Sequence, residues 1–447
     1  MKMMRLFLAG ALSVLSLPAI AEDHYVLLSS RWGARQEAAI TSARGRIVFS
    51  HADGVAVAAS SNPDFLKQAM ASGAFTSGEL DIVVQWQKPL KQVDLQEASA
   101  VNPSDDRFYF LQWAPRAIQA PEAWALGYTG QGVRVAVLDG GLYASHVDLA
   151  ANVDVSASRS FVPGQPFNAD TGTFWHGTHV AGIIGAVDNN LGVVGIAPKA
   201  TLIGVKVLHG GSGWFSWIIQ GIYYAATPLS AGGAGAQIIN MSLGGDFPKS
   251  ATGGGALVAA LNRALNYASR QNVLAISAAG NDELDFDKEG NVINVPAESG
   301  TGLSLSATGP LGWAYGATNF SRFASYSNYG NSLVSLAAPG GDFAYPGNEA
   351  CTVVGPPAVS TACWVFDMVL STSRGSTAPG AYSWAAGTSM AAPAAAAVAA
   401  LILEKNPFLS VGALKNKLMQ TATDEGKPGQ DPFYGRGLVN ALNAVTK

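Results

Sequence analysis

Cysteine is scarce in this chain: Cys351 and Cys363 are the only two among 447 residues. That excludes a disulfide-dense scaffold, and two cysteines with no histidine nearby make a poor zinc site. In an oxidising compartment they are expected to pair with each other, and closing so short a loop would constrain it by about 3 kcal/mol. Two unrelated free thiols are the alternative. Charge is also scarce, at 13% of residues with a formal net charge of -4. Without a dense Lys/Arg run there is no electrostatic footprint for nucleic acid. No uninterrupted apolar run reaches spanning length; the first apolar stretch is Leu6 to Leu17, which Ser13 and Ser16 interrupt and Pro18 follows. That run is shorter than the roughly 20 residues a membrane span needs. With Lys2 and Arg5 before it and Ala19-Ile20-Ala21 after it, it reads as a signal peptide over residues 1–21. The expected product is an exported protein, extracellular or periplasmic, with no membrane segment after signal removal and a monomer by default.

What the chain has in quantity is apolar surface and glycine, with 48% hydrophobic residues and 51 glycines. That composition belongs to a compact, loop-rich globular protein rather than a disordered one. After the signal, strand and helix patterns alternate on a small scale. Tyr25–Ser29, Arg46–His51, Gly54–Ser60 and Leu80–Trp86 read as strands, and Gln36–Ala43 and Pro63–Ala71 as helices. The order β-α-β-β-α-β predicts a ferredoxin-like α+β unit over 22–89, too small to be more than marginally stable alone. Residues 90–106, rich in Gln, Ser, Asn and Asp, read as an exposed linker. A larger α/β series fills 107–447. Val133–Leu138, Leu202–Leu208, Gln237–Leu243 and Val273–Ser277 are short Val/Ile/Leu-rich runs of the kind buried on both faces of a sheet. Helical stretches alternate with them at His176–Ala186, Ser216–Ala226, Leu257–Gln271 and Thr388–Glu404. This predicts a mainly parallel sheet covered by helices on both sides, a three-layer α/β fold.

Reactive groups in such sheets gather beyond the carboxyl ends of the strands. Asp139 directly follows the first strand, Ser242 closes the third, and Asn281 lies just past the fourth. His176 and Ser389 stand at predicted helix starts. A hydroxyl is a weak nucleophile unless an imidazole takes its proton and a carboxylate orients that imidazole. Asp139, His176 and Ser389 supply one of each. Helix-start N–H groups beside Ser389, with the side-chain N–H of Asn281, would form an oxyanion hole. Taken singly, Asp139 could be a turn residue, Thr388-Ser389 a helix cap, and Asn281 a turn. His176 and His179 lack the intervening Glu of a zinc metalloprotease helix. A lipase would place its Ser first, in a Gly-x-Ser-x-Gly elbow. A silent binding protein would not keep the whole set.

The segments Val137-Leu138-Asp139-Gly140-Gly141, His176-Gly177-Thr178-His179-Val180-Ala181-Gly182, Asn240-Met241-Ser242-Leu243-Gly244-Gly245 and Gly387-Thr388-Ser389-Met390-Ala391-Ala392-Pro393 resemble the motifs of the subtilisin-type serine peptidases, in that family's order. The resemblance covers roughly Leu111 to Val445. It implies a subtilisin-like fold and an endopeptidase acting on proteins and peptides, of broad or mainly hydrophobic specificity. His176 would be the general base and His179 a structural neighbour. Gly211-Ser212-Gly213 and Ser242-Leu243-Gly244 would flank the substrate main chain as added strands. The unit over 22–89 would be a propeptide, both chaperone and inhibitor, removed by the enzyme at a site in the linker. Structural calcium (Ca2+) would be held by Gln112, Asp148 and the loop bearing Val187, Asn189, Leu191 and Val193. Two features depart from the family's pattern. Gly140 stands where Thr or Ser is usual, and the stretch Gly340–Tyr382, with both cysteines, is longer than in compact members. The acidic run Asp282, Glu283, Asp285, Asp287, Glu289 reads as a solvated loop. The alternative is that Asp282 or its neighbours let the first specificity pocket accept Lys or Arg.

Overall fold

The structure, a computed structural model, describes residues 22–87, 91–95, 107–249, 254–355, 358–376 and 380–447. The expected signal peptide and most of the expected linker lie outside the described residues. Two compact units divide the chain, at Leu80.

In the first unit, strands Asp23–Leu28, Arg46–Ser50, Val55–Ser60 and Ser77–Leu80 alternate with helices Ala34–Ser42 and Phe65–Ala71 in the expected order. The sheet runs Ser77–Leu80, Asp23–Leu28, Val55–Ser60, Arg46–Ser50, with every pairing antiparallel. Leu27, Ala58, Ile40 and Phe65 build its core from the inner faces of sheet and helices.

The sequence pattern predicts one strand from Leu80 to Trp86, but the chain breaks it at Asp81. Strand Ser77–Leu80 ends in the first unit, whereas Val83–Gln85 pairs antiparallel with Ser212–Trp214 in the second. The buried carboxylate of Asp81 accepts the N–H groups of Ile82 at 2.9 Å and Ser216 at 3.2 Å. A side chain that bonds its own neighbouring backbone competes with the sheet ladder, and here it wins.

The second unit is built on a seven-stranded sheet, in the order Leu336–Pro339, Leu303–Thr308, Leu274–Ala278, Ile238–Met241, Arg134–Asp139, Thr201–Lys206, Arg159–Ser160. All its pairings are parallel. The apolar runs form these strands because both faces are covered by helices and almost every residue is buried. Helix Thr388–Lys405 is buried from Thr388 to Leu403. Its run of alanines allows that, since small side chains let the helix lie close against its neighbours. It is also the one helix among the described residues long and apolar enough to cross a membrane, and 89% of it is inside the protein.

The long stretch before Ser389 forms a hairpin of Ala350–Val353 with Val359–Ala362, and Cys351 and Cys363 are disulfide-bonded. Beyond it, Val369–Ser373, Ala381–Ala386 and Lys91–Asp94 form a three-stranded antiparallel sheet.

Candidate active site

Asp139 ends its strand, and His176 opens helix His176–Gly185. The two meet because Gly177 has no side chain: a Cβ there would stand 2.8 Å from the Gly141 carbonyl oxygen and 3.0 Å from the Asp139 Cβ. His176 Nδ1 lies 2.9 Å from Asp139 Oδ2, with both side chains nearly buried. A carboxylate only accepts, so Nδ1 carries the proton and Nε2 presents its lone pair. Nε2 has no partner among the described residues.

Ser389 is the second residue of the buried helix, among the N–H groups that no helical carbonyl can reach. Its Oγ lies 3.4 Å from the Ser242 carbonyl oxygen. Its own carbonyl needs an outside donor, because the residue four positions on is Pro393, which has no N–H. Ser242 Oγ supplies that bond at 2.7 Å and is itself held by Asn240 Nδ2 at 3.0 Å. Asn281 Oδ1 accepts from both the N–H and the hydroxyl of Thr388 at 2.8 Å. With its oxygen pinned to the helix start, Asn281 offers Nδ2 as its donor in a pocket that Ser389 also lines. His179 is fully buried, its Nε2 donating to the Ser383 carbonyl at 2.8 Å, and burial lowers its pKa to about 3. It stays neutral beside His176 and serves as a structural strut.

The structure accounts for the missing side chain at Gly140. A Cβ there would stand 2.1 Å from Asp170 Oδ2. Asp170 accepts the N–H groups of Gly141 at 3.1 Å and Gly210 at 2.9 Å, and lies 3.9 Å from Lys206 Nζ. Lys206 is buried and donates to the carbonyls of Leu208 at 2.7 Å and Gly140 at 3.3 Å. Burial lowers its pKa. The turn after Asp139 is therefore held by a carboxylate from elsewhere in the chain. Lysine inside an apolar strand run was a visible signal for this network, whereas nothing in the sequence singles out Asp170.

The chain's own segment Val83–Gln87 lies between the two glycine-bearing edges. Ser212 and Gly213 pair with Gln85 and Val84, while the Gly211 carbonyl accepts the N–H of Trp86 at 3.0 Å and of Gln87 at 3.1 Å. On the other side, the N–H of Gly244 donates to the Trp86 carbonyl at 3.0 Å, and Leu243 lines the same cleft. The Trp86 ring is buried against Phe215 and Phe247, with centroids 5.1 and 6.0 Å away, and its Nε1 donates to the Gly213 carbonyl at 3.0 Å. Gln87 Nε2 lies 2.8 Å from both Asp139 Oδ1 and His176 Nδ1. With Nδ1 already protonated toward Asp139, the amide's hydrogen bond goes to the carboxylate. Nothing in the sequence singles out Gln87.

The residues expected to hold calcium do come together. Asp148 Oδ2 accepts the Val193 N–H at 3.0 Å and Oδ1 accepts from Asn189 Nδ2 at 3.3 Å, while the Val187 N–H donates to the Asp148 carbonyl at 2.7 Å. Gln112 Oε1 accepts from Val194 at 2.9 Å, and the Leu191 carbonyl accepts from Arg107 at 2.5 Å. Carboxylate, amide and carbonyl oxygens suit a hard cation in kind. In this arrangement, however, N–H donors face the side-chain oxygens of Asp148 and Gln112 and the Leu191 carbonyl, and there is no group of three or more His, Cys, Asp or Glu among the described residues that could hold a metal.

Comparison with known proteins agrees with this geometry. The model of the Subtilase family matches residues 130–437. Subtilisin Savinase of Lederbergia lenta is 37% identical over 336 residues, which cover 75% of this chain and 98% of that protein. Alkaline elastase YaB of a Bacillus species is 38% identical over 337 residues, covering 75% and 70%. Among solved structures, an epidermin leader peptide processing serine protease from Staphylococcus aureus aligns with a TM-score of 0.73 at 20% identity, over 95% of this chain and 98% of that one. At that identity the likeness concerns the fold alone. By its family match, its relatives and its three-layer fold, the chain belongs to the subtilase family and is a subtilisin-like serine endopeptidase.

Proposed function

We propose that this is an exported endopeptidase made as a zymogen, with Asp139, His176 and Ser389 as its triad and residues 22–89 as its removable inhibitor. One observation carries the reading: His176, bound through Nδ1 to Asp139 with Nε2 unpaired, stands beside a peptide segment that is paired with one glycine-bearing edge and hydrogen-bonded to the other. In the reaction, Ser389 Oγ turns from the Ser242 carbonyl toward His176 Nε2, which takes its proton as Oγ attacks the scissile carbonyl. The Ser389 N–H and Asn281 Nδ2 stabilise the oxyanion. The imidazolium returns the proton to the leaving amine, and water then resolves the acyl-enzyme by the same proton path.

Both edges bond the main chain, which supports broad specificity, and the pocket that Trp86 fills supports an apolar preference several residues before the cut. Segment Val83–Gln87 acts as the inhibitory tail, with Gln87 tied to the triad carboxylate. Self-cleavage falls within the linker, residues 90–106, of which Lys91–Asp94 pairs with the strand leading to Ser389. Intact mass after expression with export distinguishes the outcomes: the wild type shortens, while Ser389→Ala keeps residues 22–447. Equal shortening of both would refute self-processing. Calcium, as a structural ion, would be held by Gln112, Asp148, Asn189 and the carbonyls of Val187, Leu191 and Val193, by displacing the N–H groups now facing Asp148. A melting temperature that rises with millimolar calcium in the wild type but not in Asp148→Ala supports this, and no calcium effect on the wild type refutes it.

A further inference from the structure

The pocket beside Ser389 contains an acceptor that the triad chemistry does not use. Asn281 and Ser389 both line it, which puts it beside the carbonyl that Ser389 would attack. Asn294, 3% exposed, belongs to the same lining. The Asn294 backbone N–H donates to Glu298 Oε2 at 2.7 Å, and its Nδ2 donates to Asp246 Oδ1 at 2.7 Å. Because a carboxylate only accepts, that bond fixes which end of the amide is nitrogen. Asn294 Oδ1 finds no partner among the described residues, although it is buried. A Cβ on Gly244, at the pocket's edge, would lie 3.4 Å from this oxygen. Asp246 and Asp282 also line the pocket, and both are exposed.

A buried acceptor left empty is costly, and a ligand that donates to it recovers that cost. An apolar side chain would leave the oxygen dry and unpaired. A long stem ending in an ammonium or guanidinium would place donors against it and a positive charge beside two carboxylates. We propose that this pocket selects lysine or arginine at the residue whose carbonyl Ser389 attacks, with Asn294 as the acceptor, oriented by Asp246, and Asp282 adding charge. The preference rests on the serine-endopeptidase reading and narrows it: apolar recognition belongs to Phe215 and Phe247, against which the Trp86 ring packs, and basic recognition to the Asn294 side.

The experiment uses enzyme purified after expression of the full chain and a set of fluorogenic peptides differing only at that residue: Lys, Arg, norleucine, Leu, Phe and Glu. The expected kcat/KM for Lys and Arg exceeds that for norleucine by about tenfold or more. In Asn294→Leu the order reverses, and in Asp246→Asn the ratio falls. Casein hydrolysis and labelling of Ser389 by a fluorophosphonate, measured in parallel, separate the two levels of the claim. An active, labelled enzyme that cleaves after Leu or norleucine as well as after Lys overturns the basic preference and leaves the endopeptidase reading intact. An enzyme that neither labels nor cleaves casein overturns both. If a variant does not fold, the wild-type profile alone decides.

Discussion

A serine at position 140, the residue type the family pattern favours, is expected to damage this protein. The added Cβ would lie 2.1 Å from Asp170 Oδ2 and 3.1 Å from its carboxyl carbon, where carbon contacts normally sit at about 3.5–4.0 Å. Asp170 cannot swing aside cheaply, because the N–H groups of Gly141, Thr171 and Gly210 converge on it at 2.9–3.1 Å and Lys206 Nζ stands 3.9 Å away. Overpacking of this kind costs about 1–3 kcal/mol. Asp170→Ala alone also destabilises, by about 3–5 kcal/mol, since it strips the carboxylate from a buried lysine. Combined, the two changes should cost less than their sum by about 1–3 kcal/mol, because the serine occupies the vacated space. Denaturant unfolding of the four proteins on a Ser389→Ala background avoids self-digestion. The same substitutions with Ser389 present should lower kcat/KM for Gly140→Ser, as Asp139 is displaced. A Gly140→Ser protein within about 0.5 kcal/mol of its parent, or a cycle additive to that precision, would show that Asp170 is not what excludes a side chain at 140.

Removing the Asn281 donor should mainly lower turnover. The corresponding donor in subtilisin is worth about 10² to 10³ in kcat, a magnitude carried over from that relative, and a loss confined to KM would contradict the oxyanion role. Burial raises the pKa of Asp81 from its ordinary 3.8 to about 6. A raised carboxylate pKa gives stability that is complete below about 4 and lost as pH rises through about 6. In Ser389→Ala protein, the melting temperature should therefore fall across that window, and Asp81→Asn should flatten the fall; an unchanged profile refutes it. Opening the Cys351–Cys363 disulfide by Cys363→Ser frees a loop with a sequence separation of 12, worth about 3 kcal/mol in the chain-entropy model. The melting temperature should drop accordingly, and no change would mean that the hairpin is held by other contacts.

The sheet was legible because doubly buried parallel strands must be apolar throughout. Runs such as Val133–Leu138 and Val273–Ser277 therefore stand within a residue or two of the observed strands. The positions of Asp139, Ser242 and Asn281 followed from strand ends, and His176 and Ser389 from helix starts. What the sequence hid was tertiary. Asp170 reaches under Gly140 from a loop with no periodicity, so the glycine looked like a lapse from the pattern rather than a consequence of a neighbour. Asp81 looked like one polar residue in a strand run, yet its bond to the start of a helix breaks that strand. The orientation of the Asn294 amide depends on Asp246 at a sequence distance of 48, and no local pattern encodes that.

Fluorophosphonate labelling followed by peptide mapping puts the triad assignment to its sharpest trial. The wild-type enzyme should carry one adduct, on Ser389, formed at a rate that falls in His176→Ala, and Ser389→Ala should neither label nor hydrolyse casein. An adduct on another serine, or casein hydrolysis persisting in purified Ser389→Ala, would contradict it.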